Sequence, residues 1–165
     1  MKRHALVLFA AFILAACGQP NNLVGKLGGS QQSFKEEYGT NQQDGETGLS
    51  AIYGYRSESG ISTIFIEDHA LFIAAPLDGV TLEEALDFSD QFLPEDAELV
   101  EGAGHTTGNM NRLYIYDSES LGKTLQSVGS EGPGKQRFSV RLEATEENNY
   151  EVVQVQAENL EMNPD

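Results

Sequence analysis

The sequence predicts an α+β fold in which one antiparallel sheet carries two or three helices on one face. Three observations lead there. Short runs rich in β-branched and aromatic residues recur along the chain and are bounded by turn residues. Two helix starts carry the Ser/Thr-x-x-Glu capping pattern, one of them opening an amphipathic stretch. The order of elements repeats: a helix closed by an aromatic and a breaker, a strand bearing tyrosines, then two stronger strands. Two tandem α-β-β-β units sharing one sheet satisfy that order.

Taken in order, Ser33-Phe34-Lys35-Glu36 opens a short helix and Gly39 closes it after Tyr38. Strands are expected at Ala51 to Arg56, Ile61 to Glu67 and Ala70 to Ala75, the last two joined by the Glu67-Asp68-His69 link. Pro76 and Gly79 then break the run. Thr81-Leu82-Glu83-Glu84 opens the second helix, where Leu82, Ala85, Leu86, Ser89, Phe92 and Leu93 share one face and Glu83, Glu84, Asp87 and Asp90 face water. Pro94 ends it. A loop over Gly102 to Asn111 leads to strands at Arg112 to Tyr116, Arg137 to Ala144 and Tyr150 to Ala157, with a helical turn near Ser118 to Leu125. Phe138, Val140, Leu142 and Ala144 alternate as in a strand with one buried face. Matching the halves pairs Tyr53 with Tyr114 and Phe65 with Phe138.

At the N-terminus Lys2 and Arg3 precede an apolar run from Ala5 to Ala16. Such a run is shorter than the roughly 20 residues that span a bilayer but suits the core of a secretory signal. It ends Leu14-Ala15-Ala16-Cys17, which resembles the lipobox of bacterial lipoproteins, cut just before the cysteine. The resemblance implies a lipid on Cys17 and an anchored mature protein. Cys17 is the sole cysteine, so no intramolecular disulfide competes for it. Gly18 rather than Asp after the cysteine leans, by that family's convention, towards the periplasmic side of an outer membrane where there are two membranes, and otherwise the outer face of the cytoplasmic membrane applies. The element order of the domain also resembles the tandem-repeat β-lactamase-inhibitor proteins and the small envelope lipoproteins that support outer-membrane assembly. The expected organisation is a signal over residues 1–16, a flexible lipid-bearing tether over 17–32, a single α+β domain over 33–160 and a short tail over 161–165.

Removing the signal takes away two of the 10 basic groups and leaves 8 against 26 acidic ones, a net charge of −18 on 149 residues. That balance argues against a nucleic-acid partner, since neutralising phosphates needs clustered Lys and Arg. It favours solubility and cationic partners, and an acidic surface is equally the mark of a salty or alkaline medium. The candidate partners are the bilayer, through Cys17, and an envelope protein.

Signatures of catalysis are missing. After processing only His69 and His105 remain, neither in an HxxxH or HExxH pattern. No Gly-x-Ser-x-Gly elbow, EF-hand register or P-loop ending occurs, and the chain has no Trp with which to stack a sugar. No catalytic residue, metal or cofactor is therefore assigned. The leading expectation is a non-catalytic, protein-binding envelope lipoprotein. Its alternatives are a solute- or ion-binding lipoprotein and a small hydrolase using His105 with loop carboxylates. The candidate binding surface is Tyr53, Tyr55, Arg56, Arg112, Tyr114 and Tyr116, because rings at alternate positions share one strand face and Tyr with Arg is the composition of an interface hot spot.

Overall fold

The computed structural model describes residues 23–43, 52–105, 110–128, 134–147 and 149–158. The expected signal, Cys17 and the C-terminal tail lie outside the described residues. Helix α1 (Gln31–Tyr38) leads into strands β1 (Ile52–Arg56), β2 (Ser62–Ile66) and β3 (His69–Val80). Helix α2 (Leu82–Asp90) is followed by β4 (Glu98–His105) and β5 (Arg112–Ser118), then α3 (Glu119–Leu125) with a 3₁₀ turn, and finally β6 (Gln136–Glu146) and β7 (Asn149–Ala157). All seven strands form one antiparallel sheet in the order β1-β2-β3-β7-β6-β5-β4. The α+β class and the antiparallel sheet read from the sequence are those of the fold.

Local chemistry explains the elements. Thr81 caps α2 through a full capping box with Glu84, whose carboxylate accepts from the Thr81 N–H at 2.9 Å. Glu67 and Asp68 take positive φ values of 49° and 67°. A two-residue hairpin of primed type demands that conformation at both central positions. Asp68 then accepts the Gln31 N–H at 2.9 Å, which ties the β2–β3 turn to the start of α1.

The registers of β1–β3 can be set beside those of β5–β7. Tyr53 faces Phe65 and Tyr55 faces Thr63 across β1–β2, while Tyr114 faces Val140 and Tyr116 faces Phe138 across β5–β6. Aligned on Tyr53 and Tyr114, these registers set Phe65 beside Val140, whereas the sequence reading matched Phe65 with Phe138. They also set Phe72 beside Gln156, and these two residues face each other across β3–β7. Among the described residues, β4, on the outer edge, and α3, inserted between β5 and β6, have no counterpart in the first half.

Several sequence expectations need correction. Residues 23–32 are not tether: Leu23 and Leu27 are buried, and the Leu27 N–H donates to the Phe92 carbonyl at 2.9 Å. The Gly28 N–H donates to the Ala70 carbonyl at 2.7 Å and the Ala70 N–H donates to Gly29 at 2.9 Å. Backbone pairing there replaces the side-chain pattern that sequence reading looks for. Helix α1 starts earlier than Ser33, because Ser30 is the cap and accepts the Ser33 N–H. β3 continues past Pro76, pairing Pro76 with Val152 and Val80 with Tyr150 around a bulge. β4 runs over Glu98–His105, where no strand was expected and where the loop over Gly102 to Asn111 was expected to begin, and its pairing with β5 is broken by two register shifts.

Candidate functional site

The registers sort every strand side chain onto one of two faces. Tyr55, Thr63, Ile73, Val155, Val140 and Tyr114 form a continuous row across six strands, and all are buried. The helices cover this face. Phe34 of α1 meets Phe65 edge-on with ring centroids 5.1 Å apart, Phe92 after α2 packs on Tyr38, and Leu121 and Leu125 of α3 join the same core.

The next row points the opposite way: Gly54, Ile64, Phe72, Gln156, Ser139, Ile115 and Glu101, one residue from each of the seven strands. Arg56, Ser62, Ala74, Gln154, Arg141 and Leu113 form a parallel row beside it. No described helix covers this face. Ile64 is 44% exposed, and Ile52, Ile66, Phe72, Leu113, Ile115 and Val152 are only partly buried. Asn41 to Gln43 close the β1 edge, as exposed sheet edges require. Gln42 donates its N–H to the Arg56 carbonyl at 2.8 Å, and the Asn41 side chain accepts the Arg56 N–H at 2.8 Å.

At one end of the open face lies a hollow of about 460 Å³, lined by Met110, Asn111, Glu143, Ala144, Thr145, Glu151 and Val152. A bulge shapes it. Glu143 pairs with Val152 and Ala144 with Tyr150, so Glu151 is the extra residue of β7. Gln154 donates to the Glu143 carboxylate at 3.0 Å and Thr145 donates to Glu151 at 2.9 Å.

The tyrosines do not form the expected binding surface. Tyr55 is 1% exposed and Tyr114 8%, and neither reaches a partner without opening the core. The Tyr55 hydroxyl is spent on the Gly39 carbonyl at 2.8 Å, and Tyr116 stacks on Phe138 at 5.3 Å. Burial pushes the phenol pKa values of Tyr55, Tyr114 and Tyr116 up, as desolvation of an incipient anion must. Tyr53, packed on Phe65 at 6.1 Å, also lies on the helix side. Arg112 shares their face, since it pairs with the buried Leu142. Of the six residues only Arg56 stands on the open face. Alternation showed that the rings share a side but not which side the helices take.

A local repeat does separate structural from exposed groups here. Tyr53-x-Tyr55-x-Ser57-Glu58-Ser59 recurs as Tyr114-x-Tyr116-x-Ser118-Glu119-Ser120. In both copies the first serine hydroxyl accepts an N–H, from Ile61 or from Leu121, at 3.0 Å, and bonds the second serine at 2.8 or 3.2 Å. Only the second copy adds a carboxylate. Asp96 accepts from the Ser118 and Ser120 hydroxyls, both at 2.6 Å, and from the Ser120 N–H at 2.8 Å. Burial pushes the Asp96 carboxyl up, but these hydrogen bonds together outweigh it and bring the pKa down to about 2. The cluster fastens the α2–β4 loop to the start of α3.

His69 packs its ring nitrogen Nδ1 3.3 Å from the Gly28 carbonyl, a turn histidine holding the N-terminal segment. His105 ends β4 opposite Arg112, and its side chain lies outside the described residues. Among the described residues no group of three or more His, Cys, Asp and Glu is placed to hold a metal ion, and no helix is long and apolar enough to cross a membrane. Comparison with protein-family models, with curated proteins and with solved structures found no match.

Proposed function

We propose that this chain is an exported lipoprotein, anchored through a lipid on Cys17, whose domain binds a protein of the cell envelope and catalyses no reaction. The open sheet face carries that reading. There Ile64, Phe72, Leu113 and Ile115 are left partly or largely open to solvent beside the exposed Arg56 and Arg141, apolar contact area interleaved with charge, which suits a docking surface. The lipobox supplies the address and the open face supplies the contact.

The test is cross-linking in intact cells followed by capture of the tagged protein, run with Ile64→Lys and Phe72→Glu on the open face and Glu83→Gln on the solvent side of α2. A partner lost with the first two variants and kept with the third supports docking on this face. Equal capture by all three sinks it. Cys17→Ala examines the anchor separately: unchanged retention in the membrane fraction would remove the lipoprotein reading.

The hollow favours a second reading, a solute-binding lipoprotein. In that case Ile64→Lys, which lies on the far β1–β2 side of the sheet, leaves function intact, whereas substitutions lining the hollow abolish it.

A further inference from the structure

Resting on the docking face above, we propose that the hollow is a pocket for an arginine or lysine side chain of a basic protein partner. Two carboxylates stand in its wall, Glu143 on β6 and Glu151 at the β7 bulge. Each is held by one neutral donor, Gln154 at 3.0 Å and Thr145 at 2.9 Å, which orients the group without cancelling its charge. Arg141 sits two residues from Glu143 on the same face, yet among the described residues no ion pair within 4 Å joins any cation to either carboxylate. Met110, Ala144 and Val152 supply an apolar wall for the methylene stem of a long cationic side chain, and Asn111 borders it with an amide. The hollow is continuous with the open face, because Glu143 and Val152 follow Arg141 and Gln154 on the outward side of β6 and β7. A chain of net charge −16 draws basic partners towards it, and an oriented pair of carboxylates fixes where the cation lands.

The partner need not be known to test this. The mature protein is labelled for NMR and titrated with N-acetyl-arginine methylamide and with its neutral citrulline counterpart. The expected result is shifts confined to the amides of Glu143 to Thr145 and Glu151 to Val152 with the arginine probe, and none with citrulline. The double variant Glu143→Gln and Glu151→Gln should bind the arginine probe about tenfold more weakly, with Glu83→Gln as the unaffected control, since a charge pair at an interface outweighs distant surface acids. Raising the salt from low to high should weaken binding further, as for a partly exposed ion pair. Equal response to citrulline, or shifts spread evenly over all surface acids, would overturn the proposal. The same double variant carried into the cross-linking experiment keeps the two readings apart: partner capture lost with Ile64→Lys but unchanged by the double variant overturns the cation pocket and leaves the docking face standing.

Discussion

Leu27→Ala separates a tether from a core. If residues 17–32 were a flexible tether the substitution would be silent. Leu27 is instead 0% exposed, its N–H is bonded to Phe92, and its neighbours Gly28 and Gly29 bracket Ala70 at the start of β3. Burying a leucine side chain contributes about 1.5–3 kcal/mol, and truncation adds the cost of whatever cavity fails to collapse, so Leu→Ala substitutions in cores cost about 2–5 kcal/mol. The N-terminal segment can relax towards the gap, which places the expected loss at about 3 kcal/mol. In a domain of this size that lowers the melting temperature by about 6–12 °C. Urea denaturation of the protein carrying Cys17→Ala, followed by far-UV circular dichroism, measures it. Val24→Ala is the matched control, at a residue that is 42% exposed and three positions away. Its effect should stay within about 0.5 kcal/mol, as for most surface substitutions. A loss below that limit for Leu27→Ala would return the segment to the tether and void the correction.

A Cβ added at Gly122 in α3 would stand 1.9 Å from the Gly134 carbonyl oxygen. Gly122→Ala should therefore destabilise by about 2 kcal/mol, although helix propensity alone would make it stabilising by about 1 kcal/mol. A raised urea midpoint would show that the start of β6 yields. The Thr63 hydroxyl is buried with no hydrogen-bond partner among the described residues. Thr63→Val keeps the shape without the unpaired group and should raise stability by up to about 1 kcal/mol. A lowered midpoint would mean the hydroxyl is bonded. Asp96 has a folded pKa of about 2 against an ordinary value of 3.8. The stability it adds is therefore whole above the ordinary value and is lost as pH falls through it towards the folded one. Discounted for the exposure of the carboxylate, that is about 1 kcal/mol. Asp96→Asn should lie below the wild type by that much at neutral pH and match it once the folded carboxyl is protonated, and a gap that ignores pH would refute the assignment.

What the sequence made legible were the elements whose side chains do the work. Phe138, Val140 and Leu142 alternate because one face of β6 is core, and Thr81 with Glu84 marks α2 because their reciprocal bonds need those two residue types. What it hid was held by backbone. Leu23 to Gly29 read as linker because its glycines, amides and short apolar content are those of a linker, while in the fold main-chain bonds to Phe92 and to Ala70 of β3 hold it in place and bury Leu23 and Leu27. β4 escaped notice because Glu98-Leu99-Val100-Glu101-Gly102 has no period of two, and its bulges put Leu99 and Val100 both in solvent. The faces were ambiguous for a related reason. Ile52, Ile64 and Ile66 make the open side of β1 and β2 nearly as apolar as the buried side, so alternation located the tyrosines together without saying under what.

The hollow lies where the β6–β7 hairpin runs further than the β2–β3 hairpin. In the first half the β2–β3 hairpin closes tightly at Glu67 and Asp68. A hairpin of the same length after Val140 and Val155 would close β6 and β7 near Glu143 and Val152. There β6 and β7 instead run on together to Glu146 and Asn149. The overhang needs support on its other side, and the extension of β3 from Pro76 to Val80 provides it by pairing with Val152 and Tyr150. Pro76 and Gly79, which read as breakers, sit within that extension at the bulge, Gly79 with a positive φ of 62°. A missing N–H and a left-handed backbone cost little at a bulge. Fitting a longer hairpin beside a bulged β3 leaves Glu151 without a cross-strand partner on β6, and it is this surplus residue that brings a second carboxylate to the wall already holding Glu143. Deleting Glu151 should restore the regular register, close the hollow and abolish binding of the arginine probe. Thr63→Val, on the buried face, should leave that binding unchanged.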